Sequence, residues 1–233
     1  MGWTDSEEAD ASKHMVVGRA RIFDRPIALA GFMGVGKSTL GRLLAESLDR
    51  EFLDTDREVQ AISGQTPNDF FARGDEVGFR RIEAQIIRDL MRRGPVVISL
   101  GGGALLDPAS RRLIQRQTAL VHLHVPWNDL RVHLAEIAEG RPLLEGKSEP
   151  EIHRMYLARL QTYQGAVLRI TVSRVSIPEA MRTVLTALDL VRGRTALTPA
   201  LPVSNRVDVT TWDQAWLRHG AVVAGRAARS PRA

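Results

Sequence analysis

Short apolar runs alternate with amphipathic stretches between about Pro26 and Leu190. Several of the runs do not alternate between apolar and polar residues, which is typical of parallel strands covered on both faces. We therefore predict five strands: Ile27–Ala30, Phe52–Leu53, Val96–Leu100, Leu120–Val125 and Leu168–Val172.

The stretches between these runs have apolar residues at helical spacing. The predicted helices are Lys37–Leu48, Glu76–Met91, Trp127–Ala138, Pro150–Gln164 and a last one that Pro178 opens and that ends near Val191. Strands and helices thus alternate along the chain. This order predicts an α/β fold with a parallel sheet and right-handed crossovers.

The two ends of the chain lie outside this pattern. Residues 1–24 have no core pattern, and residues 192–233 are rich in Ala, Arg and Pro. We predict an N-terminal extension over 1–24, a central domain over 25–191 and a basic C-terminal extension over 192–233. The formal net charge is +5, and the excess lies from Val191 onward, where there are seven arginines and two aspartates. The rest of the chain has no net charge, which argues against nucleic-acid binding. The C-terminal extension is either solvated or binds an acidic partner.

Composition excludes several classes of protein. The chain contains no cysteine, which excludes disulfides and thiolate metal sites. It has no apolar run of about 18 residues that could span a membrane and no signal peptide at its N-terminus. We therefore expect a cytoplasmic protein without a membrane partner, and we expect a monomer.

A phosphate-binding motif follows the first predicted strand. Residues Gly31–Ser38 fit G-x-x-x-x-G-K-[ST] and stand between a strand and a helix. The glycines let backbone N–H groups turn toward phosphate oxygens, Lys37 reaches the β- and γ-phosphates, and the Ser38 hydroxyl binds Mg²⁺. A chance glycine-rich turn is the alternative. The candidate ATP-binding residues here are Gly34, Val35, Gly36, Lys37, Ser38 and Thr39.

Two carboxylates, Asp54 and Asp56, end the second predicted strand. Residues two apart on a strand face the same side, and ligands of open parallel sheets bind at the carboxyl ends of strands. The pair could hold Mg²⁺ through water or orient a hydroxyl for attack. Alternatively, Asp56 only caps the next helix.

Three further features are candidates for the site. Arg80 and Glu83 share one face of a helix, although a solvated surface pair would give the same spacing. Glycines 101–103 end a buried-type strand, where they allow close approach to a ligand or merely form a tight turn. Arg141 lies in a turn segment that could be a mobile lid, and Arg159 lies on the following helix; each alone could be a surface arginine.

In order and spacing, these motifs resemble the shikimate kinase family over roughly residues 26–190. The phosphate loop is generic, whereas Asp54-Thr55-Asp56, Phe79-Arg80 with Glu83, the glycine triplet and Arg141-Pro142-Leu143-Leu144 in series are specific. The resemblance implies a P-loop NTPase fold like that of nucleoside monophosphate kinases, with a five-stranded parallel sheet flanked by helices and a mobile lid at about 138–150. It implies Mg²⁺-ATP as donor and the 3-hydroxyl of shikimate as acceptor.

The resemblance also implies roles for individual residues. Asp56 would bind the ring hydroxyls and assist deprotonation, and Asp54 would support Mg²⁺ through its water shell. Arg80 and Arg159 would hold the carboxylate near Gly102. Glu83 would orient Arg80, and Arg141 would close with the lid onto the transferring phosphate as a catalytic and ATP-binding residue, together with Lys37.

The chain departs from the family in two places. Many members carry another arginine near position 134, where this chain has His133 and Leu134. The adenine-contacting loop reads Ser173 to Pro178, with Arg174 as the candidate contact. Two other functions stay open: a related P-loop kinase for gluconate or a cyclitol, and a catalytically silent nucleotide-binding module.

Overall fold

The computed structural model describes residues 25–173 and 175–194, which form one sheet of five parallel strands with helices on both faces. The sheet order is β2-β3-β1-β4-β5. This confirms the predicted fold class, and every strand boundary lies within one residue of its prediction. The strands are β1 (Ile27–Ala30), β2 (Phe52–Asp54), β3 (Val97–Ser99), β4 (Ala119–His124) and β5 (Leu168–Thr171).

Nine α-helices are found in the described part of the chain. They are α1 (Lys37–Ser47), α2 (Thr55–Ser63), α3 (Pro67–Ala72), α4 (Glu76–Leu90), α5 (Pro108–Gln117), α6 (Trp127–Leu130), α7 (Leu134–Ala138), α8 (Glu149–Thr162) and α9 (Ile177–Arg194). The single predicted helix over 127–138 is wrong in detail, because a 3₁₀ turn over Arg131–His133 separates α6 from α7.

The sequence prediction missed α3 and α5, although both begin with recognisable signals. Thr66 accepts a hydrogen bond from the Asp69 amide and Asp69 accepts one from the Thr66 amide, a capping box with proline at the first helical position. Asp107 likewise caps α5 through the Ser110 amide, again just before a proline.

The apolar core lies in two layers, one on each face of the sheet. Successive residues of β1 point to opposite layers, so Ile27 and Leu29 join the layer beneath α1, α8 and α9. Ala28 and Ala30 join the layer beneath α4 and α5. Because both faces are covered, most strand residues are apolar, which is why several runs lacked alternation.

Strand register brings the motifs to one edge of the sheet. Asp54 at the end of β2 pairs with Ser99 at the end of β3, and Ser99 also pairs with Leu29 of β1. The phosphate loop after β1, the acidic pair after β2 and the glycine triplet after β3 therefore lie side by side.

Helix α9 continues to Arg194, three residues beyond the predicted end of the central domain. The extension over 1–24, the rest of the C-terminal extension and Arg174 lie outside the described residues. Over 25–173 and 175–194, no helix is both long and apolar enough to cross a bilayer.

Candidate active site

The phosphate loop connects β1 to α1. Gly34 and Gly36 have φ of 79° and 82°, a left-handed conformation that glycine adopts without strain. The Lys37 ammonium donates hydrogen bonds to the carbonyl oxygens of Gly31 and Phe32, both at 3.1 Å. The lysine is thus held against the loop whose N–H groups are the candidate phosphate ligands.

Asp54 and Ser38 are joined beside this loop. The Ser38 hydroxyl donates to Asp54 Oδ2 at 2.6 Å and lies 3.2 Å from the Ser99 hydroxyl. The other carboxylate oxygen of Asp54 accepts from the Asp56 amide at 3.1 Å, so Asp54 is the N-cap of α2.

Two expectations about Asp56 are therefore wrong. It is not the helix cap, and it does not share a strand face with Asp54, because β2 ends at Asp54 and the chain becomes helical at Thr55. The cap satisfies a first-turn amide and lets the helix start there. This turn leaves the Asp56 side chain lining the cleft described below.

Lys37 and Asp56 titrate closer to neutrality than usual. Burial lowers the pKa of Lys37 to about 8, an effect that the carboxylates of Asp56 and Asp54 oppose. Burial also raises the pKa of Asp56 to about 7; the charges of Asp54 and Glu83 add to this rise, and Lys37 opposes it. A carboxylate with a pKa near the working pH is well suited to act as a general base.

Oxygen atoms of Ser38 and Asp54 could support a divalent metal ion. Over the described residues, no cluster of three or more His, Cys, Asp or Glu side chains could hold such an ion by itself. Mg²⁺ bound to a nucleotide usually keeps several waters and takes only one or two protein oxygens in addition to phosphate. A hydroxyl and a carboxylate 2.6 Å apart beside the phosphate loop fit that requirement.

Arg80 and Glu83 form a buried ion pair, so the solvated-pair alternative is wrong. Arg80 Nη1 donates to Glu83 Oε2 at 2.6 Å, and the Glu83 side chain is 3% exposed. Burial raises the pKa of Glu83, although the positive charge of Arg80 opposes this. Glu76 contacts the same guanidinium at 3.2 Å, so Arg80 is oriented from two sides.

Arg159 on α8 is 4% exposed, which excludes the surface-arginine alternative for this residue. Its guanidinium carbon lies 5.3 Å from the centre of the Phe32 ring. Within the described residues, its Nε and Nη1 atoms have no hydrogen-bond partner. A buried cation with unused donors is costly unless a ligand satisfies it.

The glycine triplet fits closely among these side chains, and it is more than a tight turn. A Cβ at Gly101 would lie 2.6 Å from Asp56 Oδ1 and 2.7 Å from Glu83 Oε1, and one at Gly102 would lie 3.0 Å from Arg159 Nη1. The Gly101 amide donates to Thr55 Oγ1 at 2.7 Å, and the Tyr163 hydroxyl donates to the Gly102 carbonyl at 3.3 Å. Gly101 and Gly102 are thus held where a side chain would crowd a candidate site residue.

Arg141 lies in the lid segment, defined here as residues 138–150. Its Nη1 atom donates to the carbonyl oxygen of Ile137, and its side chain lines the cleft. Ile137 in turn packs on the phosphate loop, since a Cβ at Gly34 would lie 2.9 Å from Ile137 Cγ1. Many family members carry an arginine near His133 and Leu134, and this chain has none at those positions. His133 Nδ1 instead lies 3.6 Å from Glu136 Oε2.

These elements enclose a cleft of about 640 Å³. It brings together eight candidate residues of the sequence analysis: Asp56, Arg80, Glu83, Gly101, Gly102, Gly103, Arg141 and Arg159. Sequence reasoning missed other lining residues, among them Thr66, Pro67, Asn68, Phe71 and Glu136. Those of α3 could have been found from its capping box.

The sheet order, the phosphate loop and the adjoining cleft define a P-loop NTPase fold. The family model for shikimate kinase matches residues 33–189. The shikimate kinase of Paramagnetospirillum magneticum is 38% identical to this chain, and the aligned part covers 71% of this chain and 87% of that protein. The shikimate kinase of Oceanobacillus iheyensis is 30% identical, and the aligned part covers 75% of this chain and 95% of that protein. The solved shikimate kinase of Acinetobacter baumannii, in complex with shikimate, has a TM-score of 0.66 at 30% identity, covering 76% of this chain and 98% of that one. The chain belongs to the shikimate kinase family, and it is therefore a phosphotransferase.

Proposed function

We propose that this protein transfers the γ-phosphate of ATP to the 3-hydroxyl of shikimate, forming shikimate 3-phosphate. The observation that carries the proposal is Arg159, a buried guanidinium with two unused donors in the described structure. It faces the same cleft as Arg80 and Asp56. An acceptor with both a carboxylate and a ring hydroxyl suits this combination of cations and base.

On the donor side, the phosphate loop holds the nucleotide. Backbone N–H groups of the loop and the N-terminal end of α1 bind the phosphates, and Lys37 neutralises charge on the β- and γ-phosphates. Mg²⁺ is the metal we propose, with Ser38 as ligand and Asp54 acting through water. When bound, the ion would reduce the negative charge of the phosphate groups during transfer. The other residues that contact the nucleotide in this proposal are Gly34, Val35, Gly36 and Thr39.

On the acceptor side, Asp56 takes the proton from the attacking hydroxyl. The acceptor oxygen forms a bond to the γ-phosphorus, the bond from phosphorus to the bridging oxygen breaks, and ADP leaves. Arg141 stabilises the charge on the transferring group. Catalysis of this kind depends on positioning and electrostatics rather than on a covalent enzyme intermediate.

Arg80 and Arg159 hold the acceptor carboxylate. A guanidinium matches a carboxylate with two parallel hydrogen bonds, and Glu83 keeps Arg80 in place at 2.6 Å. Gly102 lets the acceptor approach the backbone closely. We propose a monomeric enzyme, and the cytoplasmic location stays a prediction.

The test is ADP release with shikimate, gluconate or a neutral cyclitol as acceptor, together with shikimate methyl ester. We expect rapid ADP release with shikimate and little with the neutral cyclitol or the methyl ester, because the two arginines require a carboxylate near the attacking hydroxyl. Preference for gluconate would move the assignment to the related kinase, and ADP release unchanged by any acceptor would favour a silent nucleotide-binding module.

A second arm tests the arginines themselves. Losing one partner of a desolvated charge pair costs about 2–5 kcal/mol, and about 1.4 kcal/mol is tenfold, so Arg159→Ala or Arg80→Ala should raise the KM for shikimate by roughly 30-fold or more. The KM for ATP should change little. The methyl ester, a poor substrate of the wild type, should lose far less in either variant. Equal losses for ester and acid would mean that these arginines do not bind the carboxylate.

A further inference from the structure

We propose that Asn68 is a positioning residue that fastens the lid segment to the acceptor side of the cleft and so places Arg141. Asn68 Nδ2 donates to the carbonyl oxygen of Gly140 at 2.7 Å, across 72 positions of the chain. Gly140 directly precedes Arg141. The proposal rests on the catalytic role proposed above for Arg141.

Asn68 lies on helix α3, whose position is fixed at its N-terminus and by packing of its apolar side. It is the second residue of α3, whose start is fixed by the capping box between Thr66 and Asp69. Phe70, 3% exposed, packs edge-on against Phe79 of α4 at a ring-centre distance of 5.9 Å. The Asn68 amide therefore extends from a rigid support on the acceptor side.

The other end of the contact leads to the phosphate loop. Gly140 has φ of 65°, a left-handed turn, and the next amide, that of Arg141, donates to the Ala138 carbonyl at 2.9 Å. Arg141 Nη1 donates to the Ile137 carbonyl, and Ile137 packs on Gly34. Arg141 thus lies between the α3 contact on one side and the phosphate loop on the other.

This arrangement gives Asn68 a definite effect on the reaction. A hydrogen bond between the lid segment and α3 raises the fraction of molecules in which the two are held together as in this structure. A neutral hydrogen bond contributes enough to change an equilibrium by about three- to tenfold. The effect should appear in kcat, because Arg141 acts on charge that develops during transfer.

The first test compares Asn68→Ala and Asn68→Asp with the wild type. We expect kcat to fall by about three- to tenfold in both, with the KM for shikimate and for ATP within about twofold of wild type. Aspartate has nearly the same shape, but a carboxylate cannot donate to the Gly140 carbonyl. The matched control is Asn128→Ala, the same change at an exposed second residue of helix α6, which should leave kcat unchanged.

A double-mutant cycle tests whether Asn68 acts through Arg141. In an Arg141→Ala background, Asn68→Ala should cause almost no further loss of kcat, because the group that it positions is gone. Additive losses would overturn the proposal. So would a raised KM for shikimate with normal kcat, since that result would mean that Asn68 binds the acceptor directly.

A third measurement does not depend on activity. The chain has no cysteine, so spin labels at Gln60→Cys on α2 and Glu145→Cys in the lid segment report one distance. Asn68→Asp should broaden or lengthen this distance distribution, and Asn128→Ala should not. An unchanged distribution would refute the lid contact even in an active enzyme. Absence of shikimate-dependent ADP release in the wild type would instead refute the proposed function.

Discussion

Gly103 lies against the guanidinium of Arg80 so closely that a Cβ at residue 103 would overlap Nη2. Arg80 has little freedom to retreat, because Glu83 and Glu76 hold it at 2.6 and 3.2 Å. The absence of a side chain at Gly103 therefore allows the Arg80 guanidinium to occupy its position in the cleft.

Gly103→Ala should displace the Arg80 guanidinium and raise the KM for shikimate. A bidentate contact weakened by about 1.4 kcal/mol corresponds to about a tenfold rise, and the KM for ATP should stay within about twofold. Steady-state kinetics with each substrate varied will measure this. The control is an Arg80→Ala background, in which Gly103→Ala should add little; a full additional loss there would mean that residue 103 acts in some other way.

Lys37→Met should reduce kcat by on the order of 10³-fold or more, because it removes a preorganised positive charge from the transferring phosphate. Methionine keeps a long, unbranched side chain but loses the two hydrogen bonds to Gly31 and Phe32. Unfolding curves should accompany the kinetics, so that loss of the charge is separated from loss of the fold. A variant within tenfold of the wild-type kcat would refute the catalytic role of this lysine.

Asp56→Asn should abolish most transfer while leaving ATP binding intact. Asparagine cannot accept the hydroxyl proton as a base, and the expected loss in kcat is about 10²–10⁴-fold. Because Asp54 caps α2, the substitution leaves that cap in place. Nucleotide titration calorimetry and single-turnover transfer will separate the two effects; normal transfer would exclude Asp56 as the base.

The same variant should be more stable than the wild type above neutral pH. Burial raises the pKa of Asp56 from 3.8 to about 7, so the folded protein holds this proton more tightly than the unfolded chain does. The wild type should therefore lose stability as pH rises from about 4 to about 7, and the loss then stays constant. Asparagine has no such charge to bury.

Thermal unfolding with a metal chelator present will test this. We expect Asp56→Asn to raise Tm by about 2–8 °C at pH 8, with the difference shrinking toward pH 5. Thr39→Ala and other substitutions that change no ionisable group should not show this pH dependence of Tm. A Tm difference that is the same at both pH values would mean that burial of the Asp56 charge does not destabilise the fold.

The sequence by itself determined the fold class and indicated most of the candidate site residues. Non-alternating apolar runs separated by amphipathic helices indicated a parallel sheet covered on both faces, and the phosphate loop placed β1 and α1 within one residue. The motifs after β1, β2 and β3 had to converge, because parallel strands end at a common edge. Apolar runs, helical spacing and the phosphate-loop motif are formed by residues close together in the chain, so the sequence shows them directly.

Only the tertiary structure decided which charged residues are buried and which segments meet. The i, i+3 spacing of Arg80 and Glu83 fits a surface pair equally well, and only packing leaves Glu83 3% exposed. The contact between Asn68 and Gly140 spans 72 positions and leaves no mark on local periodicity. The break between α6 and α7 was likewise not apparent from helical spacing. Burial and long-range hydrogen bonds depend on how distant segments pack, so no single stretch of sequence encodes them.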